Sequence, residues 1–333
     1  MVALFINLGF KLSSMSQKHP KALPFLFFSE MWERFGYYLM IGIFLLYLKN
    51  VEHGFAMTNS EASDLYGTFI ALVFLTPFIG GLLADRYFGY RRSIIAGGIM
   101  MGVGYCMMAV HSLPMLYLSM ALVIFGNGFF KPNISTLLGN LYSAPEFIHR
   151  KDEGYNIFYM GINVGAFICN FFSAAIIIIW GWKYAFVAAG VGMFLGVIIF
   201  MAGTKHYANG DVRKPMTKED MPFSKIVLTI FIPAIIAGIL GWIIPKNIFG
   251  SDSTDAFIFA CIPVIYFYTS LYIRAEASEK RPIAALLAIF AAVVMFWAVF
   301  KQNGTALTIW ADNFTDRQVS GTTGDIFRGL KQA

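Results

Sequence analysis

Charge is what this sequence has least of. Only 13% of its 333 residues are Asp, Glu, Lys or Arg, about half the share of an ordinary soluble domain. Cysteine is scarcer still: Cys106, Cys169 and Cys261 all fall in apolar runs without metal-like spacing. That excludes a disulfide framework and a redox pair, and leaves three small core residues. The five histidines, at 19, 53, 111, 149 and 206, lie at run ends or in loops. No His–carboxylate pair or His/Cys cluster of the kind a membrane-embedded enzyme needs can be assembled from them, so no catalytic centre, metal or cofactor is expected. A signal peptide is also missing. Met1 to Phe10 is apolar but too short to span, lacks a charged leading segment and carries no Ala-x-Ala site. Met15 is an equally natural start, which makes residues 1 to 14 dispensable.

What is present in excess is hydrocarbon: 58% of the residues are apolar and 17% aromatic. This is the composition of a polytopic, all-α membrane protein. Nine runs are long enough to cross ~30 Å of hydrocarbon: 24 to 48, 62 to 84, 93 to 110, 115 to 141, 155 to 179, 184 to 202, 226 to 244, 256 to 273 and 284 to 310. One long polar linker, Lys205 to Ser224 with Pro215 and Pro222, follows the sixth run and closes a six-span bundle. The net charge of +6 sits in short loops, where topology accounts for it without a nucleic-acid partner. The N-terminal side collects Lys11, Lys18, Lys21, Arg86, Arg91, Arg92, Arg150, Lys151, Arg274, Lys280, Arg281 and the linker cations. The other side has only Lys49, Lys183, Lys246 and the tail's Arg317, Arg328 and Lys331. By the positive-inside rule the N-terminus is cytoplasmic. With nine spans the tail from Asp312 ends outside. The chain then stops after a charged segment without an apolar anchor, which points to a truncated protein.

The few charges inside the runs carry the functional signal. Glu30, Glu33 and Arg34 are spaced i, i+3, i+4, with Tyr37 and Tyr38 one turn on, so they share a broad helical face. A charge at the bilayer centre costs at least ~2.5–3.5 kcal/mol, so this face turns inward. Two carboxylates against one guanidinium leave an acid over, and a spare acid at depth can carry a proton. Interhelical glue is the plainer reading of such a pair. Lys131, in the run Gly126-Asn127-Gly128-Phe129-Phe130-Lys131-Pro132-Asn133, lies ~24 Å of rise from the outer end of its span and needs a polar surrounding. Asn163 offers a donor and an acceptor to a ligand amide or, equally, to a neighbouring helix. Lys301 is a second deep cation. Summed as ions, Glu30, Glu33, Arg34, Lys131 and Lys301 give two negatives and three positives, which suits a carboxylate-bearing or other anionic ligand.

Between the second and third runs, Gly80-Gly81-Leu82-Leu83-Ala84-Asp85-Arg86-Tyr87-Phe88-Gly89-Tyr90-Arg91-Arg92 resembles the signature loop of the major facilitator superfamily. The resemblance implies a gating latch formed by Gly81, Asp85, Arg86, Gly89, Arg91 and Arg92, with Asp85 and Arg86 able to pair at the mouth. Glu30-x-x-Glu33-Arg34-Phe35-x-Tyr37-Tyr38, Gly126-x-Gly128-x-x-Lys131-Pro132-Asn133-x-Ser135, Phe158-Tyr159-x-x-Ile162-Asn163-x-Gly165 and Phe296-Trp297-x-x-Phe300-x-Gln302 together resemble the proton-dependent oligopeptide transporter family. The likeness runs from about Lys21 to Asp312. It implies a symporter of the cell inner membrane that couples protons to uptake of small peptides. Glu30, Glu33 and Arg34 would handle the proton, Tyr37, Tyr38 and Asn163 would contact the peptide, and Lys131 would face its carboxylate.

On this resemblance the chain divides into a cytoplasmic segment (1–22), a six-helix bundle (23–203), a cytoplasmic linker (204–225), an extra hairpin (226–274), the first helix of an incomplete second bundle (282–311) and an extracytoplasmic tail (312–333). Three departures stand out: Leu39 replaces a glycine, Ile41 an arginine, and Lys301 an acidic residue. We read the last two as one exchange that moves the carboxylate anchor from the first span to the run at 284 to 310. The other expectations are transport of a different small anion, or a membrane fragment with a structural role. With the second bundle incomplete, the chain is not expected to transport by itself, and a missing C-terminal half would be its partner.

Overall fold

The computed structural model of the chain describes residues 19–212 and 221–315. All regular structure among them is helical, as hydrocarbon demands, because a helix satisfies its backbone polar groups within one segment. The early start, Lys11, Lys18, Pro215, Arg317, Arg328 and Lys331 lie outside the described residues. The described residues fall into two compact units, one holding 19–57 and 69–212, the other 58–68 and 221–315.

The first unit contains α1 (Leu23–Lys49), the greater part of α2 (Asn59–Leu83), α3 (Tyr90–Met107), α4 (Leu113–Leu141), α5 (Lys151–Ile179) and α6 (Trp182–Ala202). α1 opens with Pro24 in its first turn, where a missing N–H costs nothing. It stops at Asn50, whose Oδ1 accepts the N–H groups of Glu52 (3.1 Å) and His53 (2.7 Å) and turns the chain. α2 starts on a reciprocal cap: Thr58 Oγ1 accepts from Glu61 N at 3.3 Å while Glu61 Oε2 accepts from Thr58 N at 2.9 Å. It runs on through a π turn, Ala84–Phe88, and halts at Gly89, whose φ of 79° suits a residue without Cβ.

Packing in this unit follows from small residues, since lipid gives helices no hydrophobic reason to associate. α1 packs on α5 and α6, and α3 on α4 and α6. At the α3–α4 crossing Gly97 and Gly126 bring backbone against backbone, so that a Cβ on Gly126 would stand 2.7 Å from the Gly97 oxygen. α2 is tied to α4 by polar stitches, Thr76 Oγ1 to Ile124 O (2.7 Å) and Asn127 Nδ2 to Val73 O (2.9 Å).

The second unit contains the opening turns of α2, then α7 (Phe223–Trp242), α8 (Asp252–Arg274), α9 (Ala277–Phe300) and α10 (Ala306–Phe314). Asp64, on α2, accepts the hydroxyls of Ser251 and Ser253 (2.6 Å for the latter) at the start of α8. Asp255 is fully buried, and its two oxygens take the N–H groups of Ile248 (2.7 Å) and Phe249 (2.8 Å). These bonds explain why residues 58–68 group with the later helices, whereas the order of the hydrophobic runs places them in the six-helix bundle.

Among the described residues seven helices, with α9 and α10 taken as one run, are long and apolar enough to cross a membrane. α1, with its charged face, and α3, with 18 residues opening on Tyr-Arg-Arg, supply the other two of the nine runs. Most boundaries differ from expectation by one to four residues, and two differences have a clear local cause. α3 begins at Tyr90 instead of 93, because Gly89 releases the preceding turn. The run expected at 284 to 310 starts earlier, at Ala277, and is broken: Lys301–Gly304 is a 3₁₀ turn between α9 and α10. Asn303 and Gly304 are poor helix formers, which accounts for the break. Lys301 therefore closes a helix instead of lying within one.

Candidate functional site: a buried ion cluster on α1

Glu30, Glu33 and Arg34 are 1%, 0% and 2% exposed. Arg34 Nε stands 3.2 Å from Glu30 Oε1 and 2.5 Å from Glu33 Oε2, so one nitrogen serves both acids. The burial is made by glycines on the helices that cover α1. A Cβ at Gly165 of α5 would lie 3.1 Å from Arg34 Cβ, and one at Gly196 of α6 would lie 3.0 Å from Ser29 O. Arg34 Cζ also stacks within 5.3 Å of the Tyr37 ring and 6.0 Å of the Tyr38 ring. Tyr37 is buried, while Tyr38 is 37% exposed. The pair thus leads from the ion cluster to an open face of the unit.

Lys131 of α4 is half-buried, with Nζ 5.6 Å from the centroid of the Phe74 ring and within electrostatic range of Glu33. Asn163 is exposed, and its amide donates to Tyr159 O of its own helix at 3.2 Å. Among the described residues it does not glue α5 to another helix, and its Oδ1 remains available. Lys301 belongs to the second unit, where Nζ lies 5.2 Å over the Trp297 ring.

The latch residues gather at the end of the bundle where α1 begins. Gly81 faces Pro132 at van der Waals distance, 3.6 Å for a notional Cβ. No ion pair joins Asp85 and Arg86 among the described residues. Adjacent residues on a helical turn do not face each other, and Asp85 instead faces the Tyr90 hydroxyl. The anion that matters here is Asp211, which follows α6. Its Oδ1 accepts from Tyr90 N (2.9 Å) and Arg91 N (3.2 Å), and its Oδ2 lies 3.9 Å from Arg91 Nε. It caps α3 from 121 residues away. Arg92 and Gly89 line a small cavity beside it. Asp211→Ala is expected to cost ~0.5–2 kcal/mol, the worth of an N-cap. Faster hydrogen exchange confined to the first amides of α3 would show it.

Two residues carry weight that sequence reasoning misses. His19, which reads as a run-end histidine, is buried, with Nδ1 2.6 Å from the Tyr142 hydroxyl and Nε2 3.7 Å from Glu153 Oε2. Burial, with the Glu153 carboxylate adding to it, pushes the Tyr142 phenol above its usual range. The phenol therefore stays protonated and donates to Nδ1. This contact ties the start of α1 to the end of α4 and the start of α5. Tyr105 of α3 is fully buried and lies within electrostatic range of Glu33, Tyr37 and Arg34. No periodicity within its own run distinguishes it from a core aromatic.

These features define an α-helical protein whose described residues hold seven helices long and apolar enough to cross a membrane, with an ion cluster sealed inside a helical bundle. Residues 91–326 match the family model PTR2, described as the POT family. The chain belongs to the POT family. It is 36% identical over 304 residues to an uncharacterized transporter, YclF, of Bacillus subtilis, covering 88% of this chain and 60% of that protein. It is 30% identical over 308 residues to a di-/tripeptide transporter of Lactococcus lactis, covering 88% and 61%. Among solved structures it is similar to a mutant of a peptide transporter POT in complex with alafosfalin, at 32% identity with a TM-score of 0.74, covering 91% and 62%. The chain thus spans about three fifths of the length of these relatives.

Proposed function

We propose that this chain forms the proton-handling part of a symporter for di- or tripeptides in the cell inner membrane, with its N-terminus cytoplasmic. The family, the Lactococcus relative and the loop charges support the reading; the observation that carries it is the buried Glu30–Arg34–Glu33 cluster. Transport, not catalysis, is the activity such a cluster serves. Glu30, Glu33, Arg34 and Lys131 sum to zero as ions. When a substrate carboxylate takes up the Lys131 charge, the cluster is left with one uncompensated anion in a medium where that is costly. A proton on either acid restores neutrality. Substrate and proton therefore favour each other's binding, which is the linkage a symporter needs. Tyr37, Tyr38 and Asn163 contact the peptide, and Lys301 supplies the carboxylate anchor lost at Ile41. The Gly81–Arg92 turn, capped by Asp211, is the cytoplasmic latch.

The test is pH-gradient-driven dipeptide uptake by a complete homologue that carries Ile41 and Lys301, with nitrate and simple carboxylates as competitors. Glu33→Gln is expected to abolish the pH dependence while leaving substrate counterflow. Lys301→Ala is expected to weaken peptide uptake. Uptake by Lys301→Ala equal to the parent refutes the anchor exchange, and competition by nitrate but not by peptides refutes the peptide reading.

A further inference from the structure

The ion cluster has a back side. Glu30 Oε2, Glu33 Oε1, Arg34 Nη2 and the Tyr105 hydroxyl are each buried without a hydrogen-bond partner among the described residues. A buried polar atom left unpaired costs ~1–3 kcal/mol, so atoms of this kind need a partner in a stable core. Their positions converge. Gly36 lies three residues after Glu33, on the same face of α1. Tyr105 Cε2, the ring carbon next to the one that bears the hydroxyl, stands 3.4 Å from where a Gly36 Cβ would be. Glu33 is the charge that acts most strongly on the Tyr105 phenol, followed by Tyr37 and Arg34. The Tyr105 ring thus reaches the face of α1 that carries Glu33, and its hydroxyl makes no direct hydrogen bond to the cluster among the described residues. Polar groups so placed are bridged by water.

We infer that Tyr105, Glu33 and Arg34 enclose a buried water site, and that through this water Tyr105 acts as a positioning residue for the Glu33 carboxyl. The inference rests on the proton-handling role proposed above for its importance, but not for its existence. For these four atoms the donor and acceptor count closes. A single water accepts from Arg34 Nη2 and from the Tyr105 O–H and donates to Glu33 Oε1 and Glu30 Oε2, four partners, within the usual range for buried water. When Glu33 gains a proton it becomes a donor, the water turns round, and the Tyr105 oxygen accepts. A phenol serves both protonation states because its hydroxyl both donates and accepts. A phenylalanine serves neither. This explains why a tyrosine, with an otherwise orphaned hydroxyl, occupies a fully buried position where a plain aromatic ring would pack as well.

The test is difference infrared spectroscopy of the purified chain in lipid nanodiscs, titrated with acid in ordinary and oxygen-18 water. Glu33→Gln assigns the carbonyl stretch of protonated Glu33. In the parent chain an O–H stretch sensitive to oxygen-18 is expected to change together with that band. In Tyr105→Phe, with folding checked by circular dichroism, the water band is expected to vanish and the Glu33 carbonyl stretch to move to higher frequency as a hydrogen bond is lost. The site is overturned if the parent shows no oxygen-18-sensitive band, a result that needs no variant to fold. It is also overturned if folded Tyr105→Phe leaves both bands where they were. Failure of peptide uptake by the complete homologue, with the water band intact in this chain, would strike the transport reading alone. Intact uptake without the band would strike only the water site.

Discussion

Replacing Arg34 by leucine should destabilise the folded bundle by ~3–5 kcal/mol at neutral pH, the range for removing one partner of a buried ion group. Glu30 and Glu33 both approach the same Nε, at 3.2 and 2.5 Å. Without it, two carboxylates face each other where water cannot screen them. The sign of the pH dependence follows from this. Lowering the pH protonates one acid, removes the repulsion and shrinks the deficit, so Arg34→Leu should gain on the parent as the medium is acidified. The parent should respond less to acidification, because its guanidinium already offsets much of that repulsion. A triple variant with Glu30→Gln and Glu33→Gln added to Arg34→Leu should recover most of the loss, because an uncharged cluster no longer needs the guanidinium. Thermal unfolding in detergent across pH reads all three. A loss in Arg34→Leu that does not change with pH would mean that the cluster is held by packing and not by charge.

The second large effect is expected from one methyl group. In Gly97→Ala the new Cβ would lie 2.5 Å from Gly126 O, 2.7 Å from Phe130 N and 3.0 Å from Phe129 C, and all three are backbone atoms of α4. Nothing flexible can give way, so the helices must separate. The cost should reach or exceed the upper part of the ~1–3 kcal/mol seen for overpacked cores. The same change at Gly42 of α1, where nothing lies within 4 Å, should be neutral or stabilise by up to ~1 kcal/mol through helix propensity. Opposite signs for Gly97→Ala and Gly42→Ala in a thermal-shift assay are the predicted result. A mild effect at Gly97 would show that the α3–α4 contact is looser than described.

How much of the molecule is legible in its sequence can be traced residue by residue. The spanning helices are readable as hydrophobic runs, since a spanning segment must be apolar over its full length whatever its neighbours do. The inward-facing set Glu30, Glu33 and Arg34 is readable for a related reason: helical spacing puts the three on one face, and the cost of charge in lipid says which way that face turns. The family is readable from ordered motifs. The break at Lys301 is half-visible in Gln302, Asn303 and Gly304, yet the apolar residues on either side conceal it.

What the sequence by itself determined is therefore everything local: which segments span, where the spare acid lies, and which face hides it. Only the tertiary structure decided the partners. It set Asp211 on the start of α3, His19 between Tyr142 and Glu153, Tyr105 behind Glu33, and Asp64 with the serines of α8. It also denied Asp85 its neighbour Arg86. The physical reason is range. Spacing along one helix is dictated by its 3.6-residue turn, whereas a bond such as His19 to Tyr142 joins residues 123 apart and exists only because glycines elsewhere let whole helices approach.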